Sequence, residues 1–310
     1  MDKACTEEKR KELPKQFLSP KKPQSAFPQI GETLSMMLFA LCACISIVAV
    51  FAICFFLFGN AVPAIRQIGL FDFLTGTEWK PSKEVFGIFP MILGSIYVTA
   101  GALIVGVPIG VLTAVFLVRY CPPALYRVIK PAVDLLAAIP SVIYGFFGLV
   151  FLVPSVMQIF HTNGKGILTA SVLLGLMILP TVINTTESSL AAVPQSYYEG
   201  SLSLGATVES SMFRVMFPAA RSGILSGIIL GLGRAIGETM AVVMVCGNQP
   251  WIPNSVTAGA RTLTSNIVLE MAYATDLHRD ALIASAVVLF VLILLINLCI
   301  SALTRKGVKA

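Results

Sequence analysis

The sequence predicts an all-α membrane protein with six transmembrane helices, and three observations lead there. First, 56% of the 310 residues are hydrophobic and only 12% are charged, with a mean hydropathy of +0.85. A water-soluble domain carries about 25% charged residues. Half that charge leaves too little polar surface for water, so lipid is the solvent for much of the chain. Second, six apolar runs, roughly 34–58, 92–118, 133–153, 167–190, 222–247 and 281–303, meet the length of about 20 residues that a bilayer core demands. Third, the 22 basic residues divide unevenly between the two sets of alternating loops. With the N-terminus inside, 15 fall on the inner side and six on the outer, and Arg234 lies within a span. Basic residues concentrate on the cytosolic side of membrane proteins, which puts both termini in the cytosol.

The elements follow in order. Residues 1–33 read as a cytosolic tail, because seven lysines and arginines alternate there with Asp2, Glu7, Glu8 and Glu12 among several prolines. Residues 34–310 form the transmembrane domain. Its first run, Leu34–Phe58, is too long for a signal-peptide core and has no clear cleavage site, so it is a retained span. Pro140 and Pro180 interrupt the third and fourth runs, and kinks rather than breaks are expected where neighbouring helices satisfy the freed backbone. The outer loops, about 59–91 and 248–280, are too short for a core of their own. Phe71, Phe73, Trp79, Phe86 and Phe89 suit a segment at headgroup depth. Leu263, Ile267 and Met271 recur at helical spacing and predict a short surface helix. Simple anchoring and a docking or gating role weigh equally for these loops.

Few polar residues suggest chemistry. The seven cysteines have no zinc-like spacing with histidine and read as buried thiols. His161 and His278 are expected in solvent. Asp134 follows Pro131 at the expected start of the third span, where a carboxylate favours the helix dipole. Glu187 lies near the inner end of the fourth span and could face an interface or a channel mouth. No cluster of His, Asp and Glu and no HExxH motif points to an enzyme, and no catalytic residue is assigned.

The inner loop, about 191–221, carries more information: from Pro194 it reads PQSYYEGSLSLGATVESSMFRVMFPAARSG. Ser196 followed by Glu199 has the spacing of a capping box, so a helix is expected from about Tyr197 to Leu204. Gly205 can adopt the left-handed conformation that ends it. A second helical stretch should stop before Pro218. The result is a helix–glycine–helix elbow. Its anchors resemble the cytoplasmic signature of ABC importer permeases: Glu199, small Gly200 and Ser201, Gly205 six residues after the glutamate, then Val215, Met216, Phe217 and Pro218. The resemblance implies a type I (MetI-like) permease core. It also implies that Ser196, Tyr197, Tyr198, Glu199, Gly200, Ser201, Gly205, Ala206 and Pro218 form the element that docks on a partner ATPase. The sequence has no G-x-x-x-x-G-K-[ST] loop for cradling phosphates, so no cofactor is assigned to this chain; ATP and Mg would sit in the partner.

The fifth span narrows the resemblance. GRAIGETMAV at Gly233–Val242, with IPSVIYGFFGL, LPTVINTTESSL and TLTSNIVLEMAYA elsewhere, is similar to the C-type permease subunit of phosphate-specific ABC transporters over roughly residues 85–303. That resemblance implies a channel subunit of a phosphate importer in a bacterial inner membrane. Its partners would be a homologous A-type permease, two ATPase subunits and an extracytoplasmic phosphate-binding protein. Read from the residues alone, Arg234 and Glu238 stand four apart and should share a helix face. Ionisable groups at membrane depth usually face a bundle interior or a watery cavity, and either a structural ion pair or a substrate pathway fits. On the pathway reading Arg234 attracts an oxyanion and Glu238 holds the arginine. Gly223, Gly227 and Gly231, with Gly233 and Gly237, form a small-residue face suited to close helix packing, expected against a sister permease. The competing readings are a permease for another oxyanion such as sulfate or molybdate, and an ion-gradient-driven secondary transporter. The latter leaves the elbow without a purpose.

Overall fold

The computed structural model describes residues 26–308. Of the expected tail, residues 1–25, including Cys5, lie outside the described residues, and 26–33 already belong to the first helix. The described residues divide into two compact units between Phe56 and Leu57. The first unit holds most of α1 (Ala26–Ile68), whose side chains from Thr33 to Ile53 are exposed. A helix that turns almost only apolar groups outward along that length, with Thr33, Ser35 and Ser46 the hydroxyls among them, has lipid as its solvent.

The second unit begins with the end of α1 and a short α2 (Leu70–Thr75). An antiparallel hairpin follows, β1 (Trp79–Lys80) and β2 (Val85–Phe86), with Trp79 opposite Phe86. Next come α3 (Phe89–Val115), α4 (Pro123–Ala138), α5 (Ser141–Phe147), α6 (Val153–Phe160) and α7 (Ile167–Ala191). The inner-loop region supplies α8 (Gln195–Ser203), α9 (Val208–Ser211) and α10 (Phe217–Ala219). The chain ends with α11 (Arg221–Gly237), α12 (Met240–Val245), α13 (Leu263–Glu270) and α14 (Asp276–Val308). Single π-helical turns extend α3 (Phe116–Tyr120), join α5 to α6 (Gly148–Leu152) and join α9 to α10 (Met212–Met216).

Five of these helical segments are long and apolar enough to cross a membrane, and a sixth is counted if Val208–Ala219 and Arg221–Gly237, bent by 72°, make one span. The six-span expectation therefore holds, with two spans built differently. The third does not run over 133–153. Ile139 and Pro140 are extended, so the chain breaks there and the span is Ser141–Phe160. The ring of Pro140 disfavours the helical conformation for Ile139 before it, and no neighbouring helix restores it. Pro180, by contrast, sits inside an unbroken α7. The fifth span is also broken, between Gly237 and Met240.

The axis of this unit is α7, packed between α3 and α11. Glycine makes both contacts. A Cβ on Gly106 would meet the Gly175 carbonyl and Ile178 of α7, and one on Gly110 would meet Val182. On the other side, Gly223, Gly227 and Gly231 lie against Ser189, Thr185 and Val182. The glycine stripe of the fifth span thus packs on the chain's own α7, not on a sister subunit. Without a hydrophobic drive between helices in lipid, close backbone approach is what generates contact. Gly233 and Gly237 have open space at the Cβ position.

The outer segments form a core together with the spans. Phe73, Trp79 and Phe86 are buried with Ile88, Met91, Leu263, Leu282 and Val287, so these aromatics are not headgroup anchors; Phe71 is 82% exposed. The predicted short helix exists as α13, but Leu263, Thr264, Ser265, Asn266 and Glu270 are buried, so it is not a surface helix. Free N–H groups at the start of α7 are satisfied by the same region: Gly166 donates to Val245, Ile167 to Ala258 and Leu168 to Val256.

Candidate functional site

The residues singled out in the fifth span gather at its break. α11 ends at Gly237, Glu238 is extended, and α12 restarts two residues later. Arg234 and Glu238 therefore do not share a helix face. The Glu238 carboxylate instead accepts the Ala241 N–H at 3.2 Å, satisfying a donor that the restart leaves open. Its backbone carbonyl, freed by the break, accepts the Thr264 hydroxyl of α13 at 3.3 Å. Arg234 occupies the last turn of α11, half-buried, and makes no hydrogen bond or ion pair among the described residues. The phenol of Tyr144 on α5 lies within electrostatic reach of it. α5 itself packs on α12 where Gly145 lies against Ala241 and Met244. The site is thus an unpaired cation beside a broken helix, bordered by α5 and α13.

The elbow is formed, with a different start. Pro194 is the N-cap of α8 and no side chain caps it, so Ser196 and Glu199 make no capping box. The helix begins earlier because proline's fixed φ suits an N-terminus. At the other end Gly205 has φ of +85°; its N–H reaches Leu202 and that of Ala206 reaches Ser201, the paired bonds of a Schellman close. The second arm starts at Thr207, whose hydroxyl oxygen accepts the Ser210 N–H at 3.2 Å. It does not stop before Pro218: the π-helical turn leads through Pro218 to Ala219. Tyr197, Glu199, Gly200 and Gly205 are exposed, as is Leu204 at 91%. Tyr198 is buried.

Sequence reasoning missed two polar clusters, each built on a buried glutamate. Near the C-terminal end of α7, Glu187 accepts the Tyr126 hydroxyl at 2.6 Å and Lys130 Nζ at 2.7 Å. Lys130 also reaches Asn184 Oδ1 at 2.8 Å, and Asn184 donates to Asp134 at 2.9 Å. Asp134 lies well inside α4, not at a helix start, and pairs with Lys130 at 3.7 Å. The bond to Glu187, then burial, raises the Tyr126 phenol above its ordinary value. The helical spacing of Tyr126, Lys130 and Asp134 was the available signal. In the segments expected as outer loops, Glu270 accepts Trp79 Nε1 at 2.7 Å and Arg261 Nη1 at 2.6 Å, and meets His278 Nε2 at 2.9 Å. Arg261 also donates to the Asn248 carbonyl and to Asn266. His278 is therefore in a buried cluster, stacked on Phe86, rather than solvated; His161 is exposed. Nothing local marks this cluster, whose members come from four separate segments. Among the described residues no group of His, Cys, Asp and Glu could hold a metal.

A broken fifth span, a glycine elbow on one side and a bundle wrapped on α7 define a polytopic permease subunit. The model of the family described as "Binding-protein-dependent transport system inner membrane component" matches residues 106–306, and the chain belongs to that family. It is 35% identical over 286 residues to a "Probable ABC transporter permease protein YqgH" of Bacillus subtilis, covering 90% of this chain and 92% of the relative. A "Phosphate transport system permease protein PstC" of Mesorhizobium japonicum is 38% identical over 77% of this chain and 80% of its own length. A "Probable phosphate transport system permease protein PstC" of Methanocaldococcus jannaschii is 33% identical over 78% and 84%. Among solved structures, the inward-facing MetNI methionine ABC transporter aligns with a TM-score of 0.54 at 22% identity, over 74% of this chain and 99% of that one. A bacterial alginate ABC transporter aligns at 0.58 and 15% identity, over 91% and 98%. At such identities the structures establish the MetI-like fold, and the chain is an ABC importer permease.

Proposed function

We propose that this permease is one half of the membrane channel of an ATP-driven importer of inorganic phosphate. Its partners would be a homologous A-type permease, two ATPase subunits and an extracytoplasmic phosphate-binding protein. It would sit in a bacterial inner membrane with both termini in the cytosol. The names of the C-type relatives suggest the anion. The observation that carries the reading is Arg234, an unpaired guanidinium beside the break of the fifth span. A charge at membrane depth costs about 2.5–3.5 kcal/mol on insertion scales and is retained where it faces a cavity or a pathway. A guanidinium presents forked donors that fit a phosphate's oxygens. Glu238 serves the backbone, so it leaves Arg234 to the anion, and its own charge keeps the passage from becoming a trap. The elbow, with Tyr197, Glu199, Gly200, Leu204 and Gly205 outward, would enter a cleft on the ATPase. Closure of that partner would rock the spans around the pathway. No chemistry is assigned to this chain; hydrolysis belongs to the partner.

The test is ATP-dependent uptake of labelled phosphate by the reconstituted complex, competed with sulfate and molybdate. Arg234→Ala should abolish uptake with assembly intact. Uptake preserved in that variant removes Arg234 from the pathway, and equal competition by sulfate removes the phosphate assignment.

A further inference from the structure

α8 touches the bundle through one fully buried side chain. Tyr198 is 3% exposed, while most of the helix is exposed or half-buried. Its ring sits in a cluster with Val115 of α3, Leu190 of α7, Met212, Met216 and Ile224. One face of the ring is closed by a different group: the Arg119 guanidinium lies over it, 3.5 Å from the ring centroid. Arg119 belongs to the π-helical turn that follows α3, and such turns are frequent at functional sites. The Tyr198 hydroxyl is buried without a hydrogen-bond partner among the described residues. The ring, and not the phenol oxygen, is therefore what this position uses.

We infer that Arg119 is a positioning residue which clasps the Tyr198 ring, so that displacement of the elbow moves α3 with it. This rests on the reading that the elbow meets the ATPase. A helix held by one fully buried side chain, with Leu202 only partly buried beside it, can pivot there unless a further contact fixes its angle. The apolar cluster packs around the ring, and the guanidinium covers one of its faces. α3 also lies along α7 through Gly106 and Gly110, so a movement delivered to the end of α3 reaches the centre of the bundle. Because Arg119 is itself exposed, its replacement uncovers one face of the ring but leaves the apolar cluster around Tyr198 in place.

The experiment uses the complete complex in proteoliposomes and reads phosphate imported per ATP hydrolysed, with the stimulation of hydrolysis by loaded binding protein in the same vesicles. A cation over a ring at an exposed site shifts an equilibrium about two- to fivefold, so Arg119→Ala should lower both readouts by that factor while the ATPase still co-purifies. Arg119→Lys should recover part of the loss, since an ammonium is attracted to the ring but cannot stack flat on it. Tyr198→Leu should lower both readouts at least as far, and Tyr198→Phe should restore them. Unchanged readouts in Arg119→Ala, or a Phe variant as poor as the Leu variant, would overturn the clasp. A wild-type complex that shows stimulated hydrolysis without phosphate import overturns the anion assignment instead. The Arg119→Ala effect on stimulation then still decides the clasp.

Discussion

Replacing Glu270 by alanine removes the acceptor at the centre of the outer cluster. Three donors would lose it together: Trp79 Nε1, Arg261 Nη1 and the His278 ring. The side chains of Arg261 and Glu270 are only 14% and 8% exposed, so solvent screens the pair little. Taking one partner from a buried ion pair costs about 3–5 kcal/mol, because the remaining charge stays buried and unmatched. Arg261 keeps its bonds to Asn248 and Asn266, which favours the lower half of that range. At about 2–4 °C per kcal/mol, thermal unfolding of the purified protein in detergent should drop on the order of 6–16 °C. The assay has an internal control. If the unpaired arginine is the source of the cost, Glu270→Ala combined with Arg261→Met should be less destabilising than the sum of the single changes by at least about 1 kcal/mol. Strict additivity would refute the argument, as would a melting point for Glu270→Ala within a degree or so of the parent.

Three further outcomes are expected. Gly94→Ala places a methyl group against the backbone carbonyl of Arg261, which cannot rotate away, and should cost about 1–3 kcal/mol in the same melt, whereas Gly233→Ala, with open space at its Cβ, should not lower it. Tyr126→Phe removes a hydroxyl bonded to the buried Glu187 carboxylate and should cost about 1.5–3 kcal/mol. The Tyr126 phenol is raised in the folded state, so this tie is at full strength below the ordinary phenol value and is lost as pH climbs through the raised one; the gap between parent and Phe melting curves should close over that alkaline window. Gly205→Ala forces an alanine into φ of +85° and should strain the elbow by about 1–2 kcal/mol, weakening ATPase co-purification while Gly205→Asn retains more of it.

Much of the architecture was legible because lipid imposes a simple rule. Runs of apolar residues long enough to cross hydrocarbon must be helical, since every backbone group has to be satisfied within the segment. The rule locates spans but does not see inside them. Two of the six expected runs are broken, at Ile139–Pro140, where only a kink was expected, and at Gly237–Met240, which was read as part of one continuous helix. Pro180 shows why: the same residue type leaves α7 intact where neighbours hold it on both sides. The elbow was readable from Gly205, whose left-handed conformation is a local demand. Its start was misread, because Ser196 and Glu199 have the spacing of a capping box while Pro194 takes the cap.

The sequence by itself determined what depends on composition and on neighbours along the chain: a six-span membrane protein, the helix–glycine–helix elbow, and an arginine kept at membrane depth. Tertiary structure alone decided who meets whom. It gave the glycine stripe to α7 and separated Glu238 from Arg234. It buried Phe73, Trp79 and Phe86, gathered Glu270, Arg261, Trp79 and His278, and laid Arg119 over Tyr198. Periodicity records which face of a helix is apolar or small, but a contact between segments far apart in sequence is chosen by the packing of the whole bundle. That choice becomes visible only when the segments are assembled.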